Sequence, residues 1–160
     1  MNKQLWAPWR EGVIYQRKVR ECIFCVKPKE KKDRKNYIFM RGHRAFAMLN
    51  LYPYNNGHVM AVPYRHVKRF DDLNEQELLA LMECVQKCEL LLRKLLSPDG
   101  FNIGLNEGRV AGAGFKDHIH IHIVPRWNGD TNYMPVLSKT KVISESLESL
   151  YQKIIHANTH

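Results

Sequence analysis

The sequence has no apolar run that reaches the roughly 18 residues a membrane-spanning helix needs. Its opening stretch, MNKQLWAPWREG, lacks the continuous apolar segment of a secretory signal. These absences remove a helical membrane span from consideration and lead to the expectation of a cytoplasmic chain. There is no internal repeat and no low-complexity tract. Acidic residues are few: 16 Asp and Glu stand against 25 Lys and Arg, a formal net charge of +9. That balance favours anionic partners such as nucleotides, nucleic acid or acidic lipid. Yet the densest basic stretch, KPKEKKDRK at 27–35, contains no aromatic residue on which a base could stack. It reads as a solvated loop, and neither nucleic acid nor a membrane is an expected partner.

What remains is ordinary for one globular domain of 160 residues, with 44% hydrophobic and 26% charged residues. NYIFM (36–40) and AFAML (45–49) read as strands of a hairpin, LYPYNNG (51–57) as a turn, and HVMAVP (58–63) as the next strand. Asn74 and Glu77 have the spacing of a capping box. Leu78, Leu81, Met82, Val85, Cys88, Leu92 and Leu95 then recur at three- and four-residue steps, which predicts one long helix ended by SPDG (97–100). FNIGLNE (101–107) reads as a strand, GRVAGAG (108–114) as a glycine-rich loop and IHIHIVP (119–125) as the last strand. Leu147, Leu150, Tyr151 and Ile154 predict a C-terminal helix. The fold class is α+β, an antiparallel sheet covered on one face, whose strand order this pattern does not reveal. Residues 1–20, with Trp6, Trp9 and Tyr15, read as an arm packed on the body of this chain or of a partner subunit.

The stretch DHIHIHIVPR (117–126) carries the chemistry. Successive side chains of a strand point to opposite faces. Ile119, Ile121 and Ile123 therefore suit a core, while His118, His120 and His122 share the other face. A single metal held by all three is unattractive, because the outer pair would stand about 13 Å apart along the strand. Acid–base and nucleophilic catalysis fits better. Imidazole titrates near neutrality, so a neutral nucleophile and a protonated donor can coexist, and a ring nitrogen can attack phosphorus to form a covalent intermediate. Gly112, Ala113 and Gly114, just upstream, have little side chain to keep backbone amides from a phosphate. The alternative is a row of surface histidines on a solvated sheet. Of the four cysteines, Cys84 and Cys88 lie within the helical pattern and read as small apolar residues. Cys22 and Cys25 form C-x-x-C, a spacing shared by metal and redox sites. No βαβ setting of the thioredoxin kind is visible around it.

HIHIHIV (118–124) resembles the signature of the histidine triad family. CIFC, Asn50, GHVMAVP and NEG (106–108) add to the likeness, which covers residues 21–127 and leaves 128–160 as a C-terminal extension with its helix. LWAPWREG and DHIHIHIVPRWNGDTNYMPV resemble the subgroup of diadenosine tetraphosphate phosphorylases. The resemblance implies a sheet of about five strands with one long helix and a C-terminal helix, and a homodimer. It implies cleavage at an α-phosphate of a dinucleoside polyphosphate or other adenosine nucleotide, through a nucleotidyl-histidine. His120 would be the nucleophile, and His122 would hold the α-phosphate and assist proton movement. Asn50 would bond the ribose; Asn106, Gly112, Ala113 and Gly114 would meet the phosphates. His58 matches a histidine beside the triad that supports it. The loop has AGAGF where the commoner pattern has Gln and Ser or Thr, which shifts phosphate contacts from side chains to backbone donors. The resemblance further implies a structural zinc on Cys22, Cys25, His66 and His118. With a side chain as nucleophile, the sequence requires no catalytic cofactor. The alternatives are a nucleoside phosphoramidase or hydrolase of the same family and a nucleotide- or nucleic-acid-binding module without turnover.

Overall fold

The computed structural model describes residues 21–132, 134–138 and 142–158; the arm expected over 1–20 lies outside them. Two short helices, α1 (Ile23–Val26) and α2 (Asp33–Asn36), lead into strands β1 (Ile38–Arg41), β2 (Ala45–Leu49) and β3 (Val59–Pro63). A single 3-10 turn, Phe70–Asp72, precedes helix α3 (Glu75–Leu96). Then come β4 (Gly100–Leu105), β5 (Ile121–Arg126), a short α4 (Met134–Ser138) and α5 (Leu147–Asn158). The five strands form one antiparallel sheet in the order β1-β2-β3-β5-β4. This is the expected α+β architecture. Among the described residues no helix is long and apolar enough to cross a membrane.

Strand periodicity sorts the core into two layers. Ala45, Ala47, Leu49, Val59, Ala61, Ile121 and Ile123 face α3 and α5, where they meet Leu81, Val85, Leu92, Leu150 and Ile154. The opposite residues, Phe46, Met48, Met60 and Val62, pack with Ile38 and with Phe24 of α1. Every residue of β2 and β3 is therefore buried. Here the structure differs from a sheet covered on one face: Phe24, fully buried, roofs the second side over its first three strands. Both alternations still obey the strand period, so the sequence pattern and the two-sided burial are consistent.

Helix α3 starts as its sequence predicts. Asn74 Oδ1 accepts from the Glu77 backbone N–H at 3.0 Å, and Glu77 Oε2 accepts from the Asn74 N–H at 3.1 Å. Its buried stripe runs through Leu81, Cys84, Val85, Cys88, Leu91 and Leu92, so both cysteines are core residues. Met82 instead points outward, 42% exposed, because Cys84 occupies the core side of its turn. The turn ahead of β3 needs Gly57 at φ +76°, where a Cβ would strike Leu96 Cδ1 at 2.6 Å and Pro125 Cγ at 2.9 Å. That close approach seats the next residue, His58, inside the fold.

Glu77 does more than cap. Its buried carboxylate receives Arg65 Nε and a second Arg65 nitrogen, each at 2.6 Å. The Arg65 hydrogen bonds, aided by the capping N–H, hold its pKa down to about 2 against burial. A carboxylate depressed in the folded state stabilises fully above its unfolded value near 4.5 and loses that contribution as pH falls toward 2. Glu77→Gln should therefore lower the urea midpoint clearly at pH 7, with the gap to wild type closing between pH 4.5 and 2. A gap of constant size down to pH 2 would show that the pair is not the source.

Candidate functional site

The ladder between β3 and β5 ends at Ala61↔Ile121, so the last strand begins two residues later than its pattern predicts. The cause lies opposite: Pro63 has no N–H to give, and its carbonyl accepts instead from His118 Nε2 at 2.9 Å. Ile119 N–H donates to Val67 O at 2.7 Å, which carries the chain past the strand end. Alternation nevertheless persists: Ile119, Ile121 and Ile123 are buried, and the three histidines sit on the side of Phe24. The His120 and His122 rings stand edge to face, 4.8 Å between centroids. His122 is opposite Met60 on one neighbour and Gly104 on the other.

Hydrogen-bond partners assign each ring its tautomer. His120 Nδ1 lies 2.9 Å from the His118 carbonyl, an acceptor, so Nδ1 carries the proton and Nε2 keeps its lone pair. His58 Nδ1 accepts from the Tyr54 backbone N–H at 3.0 Å, which places the His58 proton on Nε2. That proton points at His122 Nδ1, 2.9 Å away, so His122 is protonated on Nε2. One neighbouring pair thus offers a nucleophilic nitrogen and an N–H donor. Asn50 Nδ2 lies 3.3 Å from His58 Nε2, and Asn50 Oδ1 accepts from the Tyr52 N–H at 2.9 Å.

Burial keeps these rings neutral. It lowers His122 to about 4, with the adjacent His120 adding to the effect, and His58 to about 3, with His122 and His120 adding. His120 is lowered by burial too, opposed by its hydrogen bond to the His118 carbonyl. The expected coexistence of a neutral nucleophile with a protonated donor is therefore not the resting state, because desolvation disfavours both cations. His122 donates as a neutral N–H.

His120 and His122 line a cavity of about 150 Å³ together with Asn50, Tyr54, Met60, Gly114 and Phe115. Ile23, Lys27 and Met48 line it as well. Pockets enclosing drug-sized ligands run to roughly 300–1,000 Å³, so this one seats part of an extended ligand and leaves the rest outside. Of the loop residues expected at phosphate, Gly114 lines the cavity, while Asn106, Gly112 and Ala113 do not. The Gly112 and Ala113 amides are turned inward, donating to Arg109 O at 3.1 Å and Gly108 O at 3.3 Å as the loop turns through Gly112 at φ +87°. Sequence reasoning missed Ile23, Phe24 and Lys27. The apolar pair inside CIFC was their one local signal, overshadowed by its cysteines.

A second cluster lies behind the first. Cys22 Sγ and Cys25 Sγ are 3.3 and 3.6 Å from His118 Nδ1, and Cys25 Sγ is 3.3 Å from His66 Nδ1. All four ligand atoms fall within 4.8 Å of one another. The edge of a tetrahedral zinc site with sulfur and nitrogen ligands is about 3.5 Å. The His118 tautomer also fits, since Nε2–H donates to Pro63 O and leaves the Nδ1 lone pair facing the thiols. The cluster can hold a metal ion.

The HIT domain family model matches residues 31–129. The chain is 37% identical over 153 residues to the AP-4-A phosphorylase of Mycobacterium tuberculosis, a match covering 91% of this chain and 78% of that protein. It is 36% identical over 115 residues to the asymmetrical bis(5'-nucleosyl)-tetraphosphatase of Schizosaccharomyces pombe, covering 71% and 63%. Among solved structures it shares the fold of a Zn-bound histidine triad family protein from Mycobacterium smegmatis, with a TM-score of 0.70, 23% identity, and coverage of 87% and 94%.

Proposed function

This chain belongs to the HIT family, and on that premise we propose that it cleaves a dinucleoside polyphosphate at an α-phosphate through a nucleotidyl intermediate on His120. The observation that carries the reading is the His120 ring: its Nδ1–H is held by the His118 carbonyl, and its Nε2 lone pair is free beside the cavity. That lone pair attacks the α-phosphorus, and the bond from phosphorus to the bridging oxygen breaks. The His122 Nε2–H bonds the phosphoryl oxygens and offsets the charge that builds there, while the departing polyphosphate, a weak base, leaves as the anion and takes no proton from the neutral ring. His58 keeps that proton on the outward nitrogen by donating to His122 Nδ1. An acceptor then displaces His120. The ribose lies by Asn50 and the base among Ile23, Met48 and Phe115.

Similarity to the mycobacterial phosphorylase supports inorganic phosphate as acceptor; the fission-yeast tetraphosphatase supports water. With bis(5'-adenosyl) tetraphosphate, phosphorolysis gives ADP and ATP, while hydrolysis gives AMP and ATP. Chromatography of the products with and without added phosphate should show ADP and ATP only when phosphate is present. AMP and ATP in both samples would make the protein a hydrolase, and no cleavage in either would end the enzymatic reading.

The same reading places a structural zinc on Cys22, Cys25, His66 and His118. Two thiolates and two imidazoles close a tetrahedron and leave no position for substrate. The ion would tie α1 to the segment carrying the triad. A homodimer is also part of the proposal. It is supported by β4, an edge strand on which Asn102, Ile103 and Gly104 are exposed.

A further inference from the structure

Lys27 is the one cation among the described residues lining the cavity. Its carbonyl accepts from Asn36 Nδ2 at 3.3 Å, just ahead of β1, and the next carbonyl, of Pro28, accepts from Arg41 of β1 at 2.9 Å. Its backbone is thus anchored over the β1 edge. His122 belongs to β5, three strands away, and Met60 of β3 and Met48 of β2 line the cavity between them. At about 4.8 Å per strand, β1 and β5 are roughly 14 Å apart. A nucleotide with its α-phosphate at His120 and its ribose at Asn50 extends its base toward Lys27.

The ammonium has no settled partner within the described residues. It forms no ion pair there. The acidic residue nearest to it in the sequence is Glu30. The Glu30 carboxylate is itself engaged by Asn36 Nδ2 at 2.8 Å. A half-buried cation without a counter-charge is costly to keep against an apolar wall. A ligand that brings acceptors removes that cost.

We propose that Lys27 reads the outer edge of the nucleobase and biases the pocket toward 6-oxopurines, such as guanine, over 6-aminopurines. An ammonium has three donors and no acceptor. Guanine presents O6 and N7, two adjacent acceptors, whereas adenine sets an amino donor beside N7. The apolar surroundings leave the attraction weakly screened and the mismatched amino group without a partner.

This proposal rests on the reading that the cavity seats a nucleoside. The test measures kcat/KM for bis(5'-guanosyl) and bis(5'-adenosyl) tetraphosphates, and Kd for GMP and AMP, in the full chain, Lys27→Met and Lys27→Arg. Lys27→Met should lose about tenfold more on the guanosine compounds than on the adenosine ones; Lys27→Arg should keep most of the wild-type ratio. Equal losses on both bases, as a purely structural or phosphate-binding role produces, would overturn it, as would no loss. Should wild type cleave neither dinucleotide, the cleavage reading fails while the GMP and AMP affinities still decide the role of Lys27. Absence of binding by both mononucleotides overturns the two together.

Discussion

Alanine at position 120 should lower kcat for dinucleoside tetraphosphate cleavage by roughly four to six orders of magnitude, the scale seen when a covalent nucleophile is removed. The reason is positional as well as chemical. The His118 carbonyl, 2.9 Å from His120 Nδ1, pins the ring so that Nε2 faces the cavity and keeps its lone pair there. No neighbouring ring can take over. His122 Nε2 is protonated because its Nδ1 receives the His58 proton, and the lone pair of His118 is directed at the thiols. Labelled dinucleotide, quenched in alkali during turnover by wild type, should leave acid-labile label on a peptide containing His120 and none in the alanine variant. His58→Ala should cost far less, roughly ten- to a hundredfold, because it only frees the His122 tautomer. Turnover of His120→Ala within tenfold of wild type would remove the nucleophile from this mechanism.

The second large effect concerns metal. Purified protein should carry one equivalent of zinc per chain by elemental analysis, and Cys22→Ser and His66→Ala should each lose most of it. A ligand held a thousandfold above its Kd stabilises the folded state by about 4 kcal/mol. For a chain of this size that corresponds to a fall in Tm of about 10 °C on chelation or in either variant. Activity should fall as well, although neither residue lines the cavity. His118 presents Nδ1 to the thiols and its carbonyl to His120, so loosening the cluster loosens the nucleophile. Undiminished zinc in both variants would reject this ligand set, and metal-free protein of unchanged Tm would reject the structural role.

Local chemistry alone determined a good part of this molecule. The period of two in HIHIHI predicts isoleucines in the core and imidazoles on one side, and the structure keeps that division even where the strand ladder stops short. The Asn74–Glu77 spacing predicts the helix start, and the apolar steps after it predict a helix of the observed extent. Each of these signals is contained within a few consecutive residues, where backbone geometry dictates which side chains share a face. The resemblance around the triad brought Cys22, Cys25, His66 and His118 into one set, and their atoms meet.

The tertiary structure decided what depends on partners distant in the chain. The placing of β5 between β3 and β4 sets Met60 against His122. Pro63, 55 residues from His118, accepts its Nε2 proton and turns Nδ1 toward the thiols. His58 selects the tautomer of a ring 64 residues away. The Gly112 and Ala113 amides, small enough in sequence to cradle a phosphate, are used by the loop itself. Lys27 belongs to a basic run that reads as solvated, yet β1 and α2 hold it over the cavity. A sequence pattern records which face a residue takes; which atom of that residue is free depends on hydrogen bonds that form only when remote segments pack together.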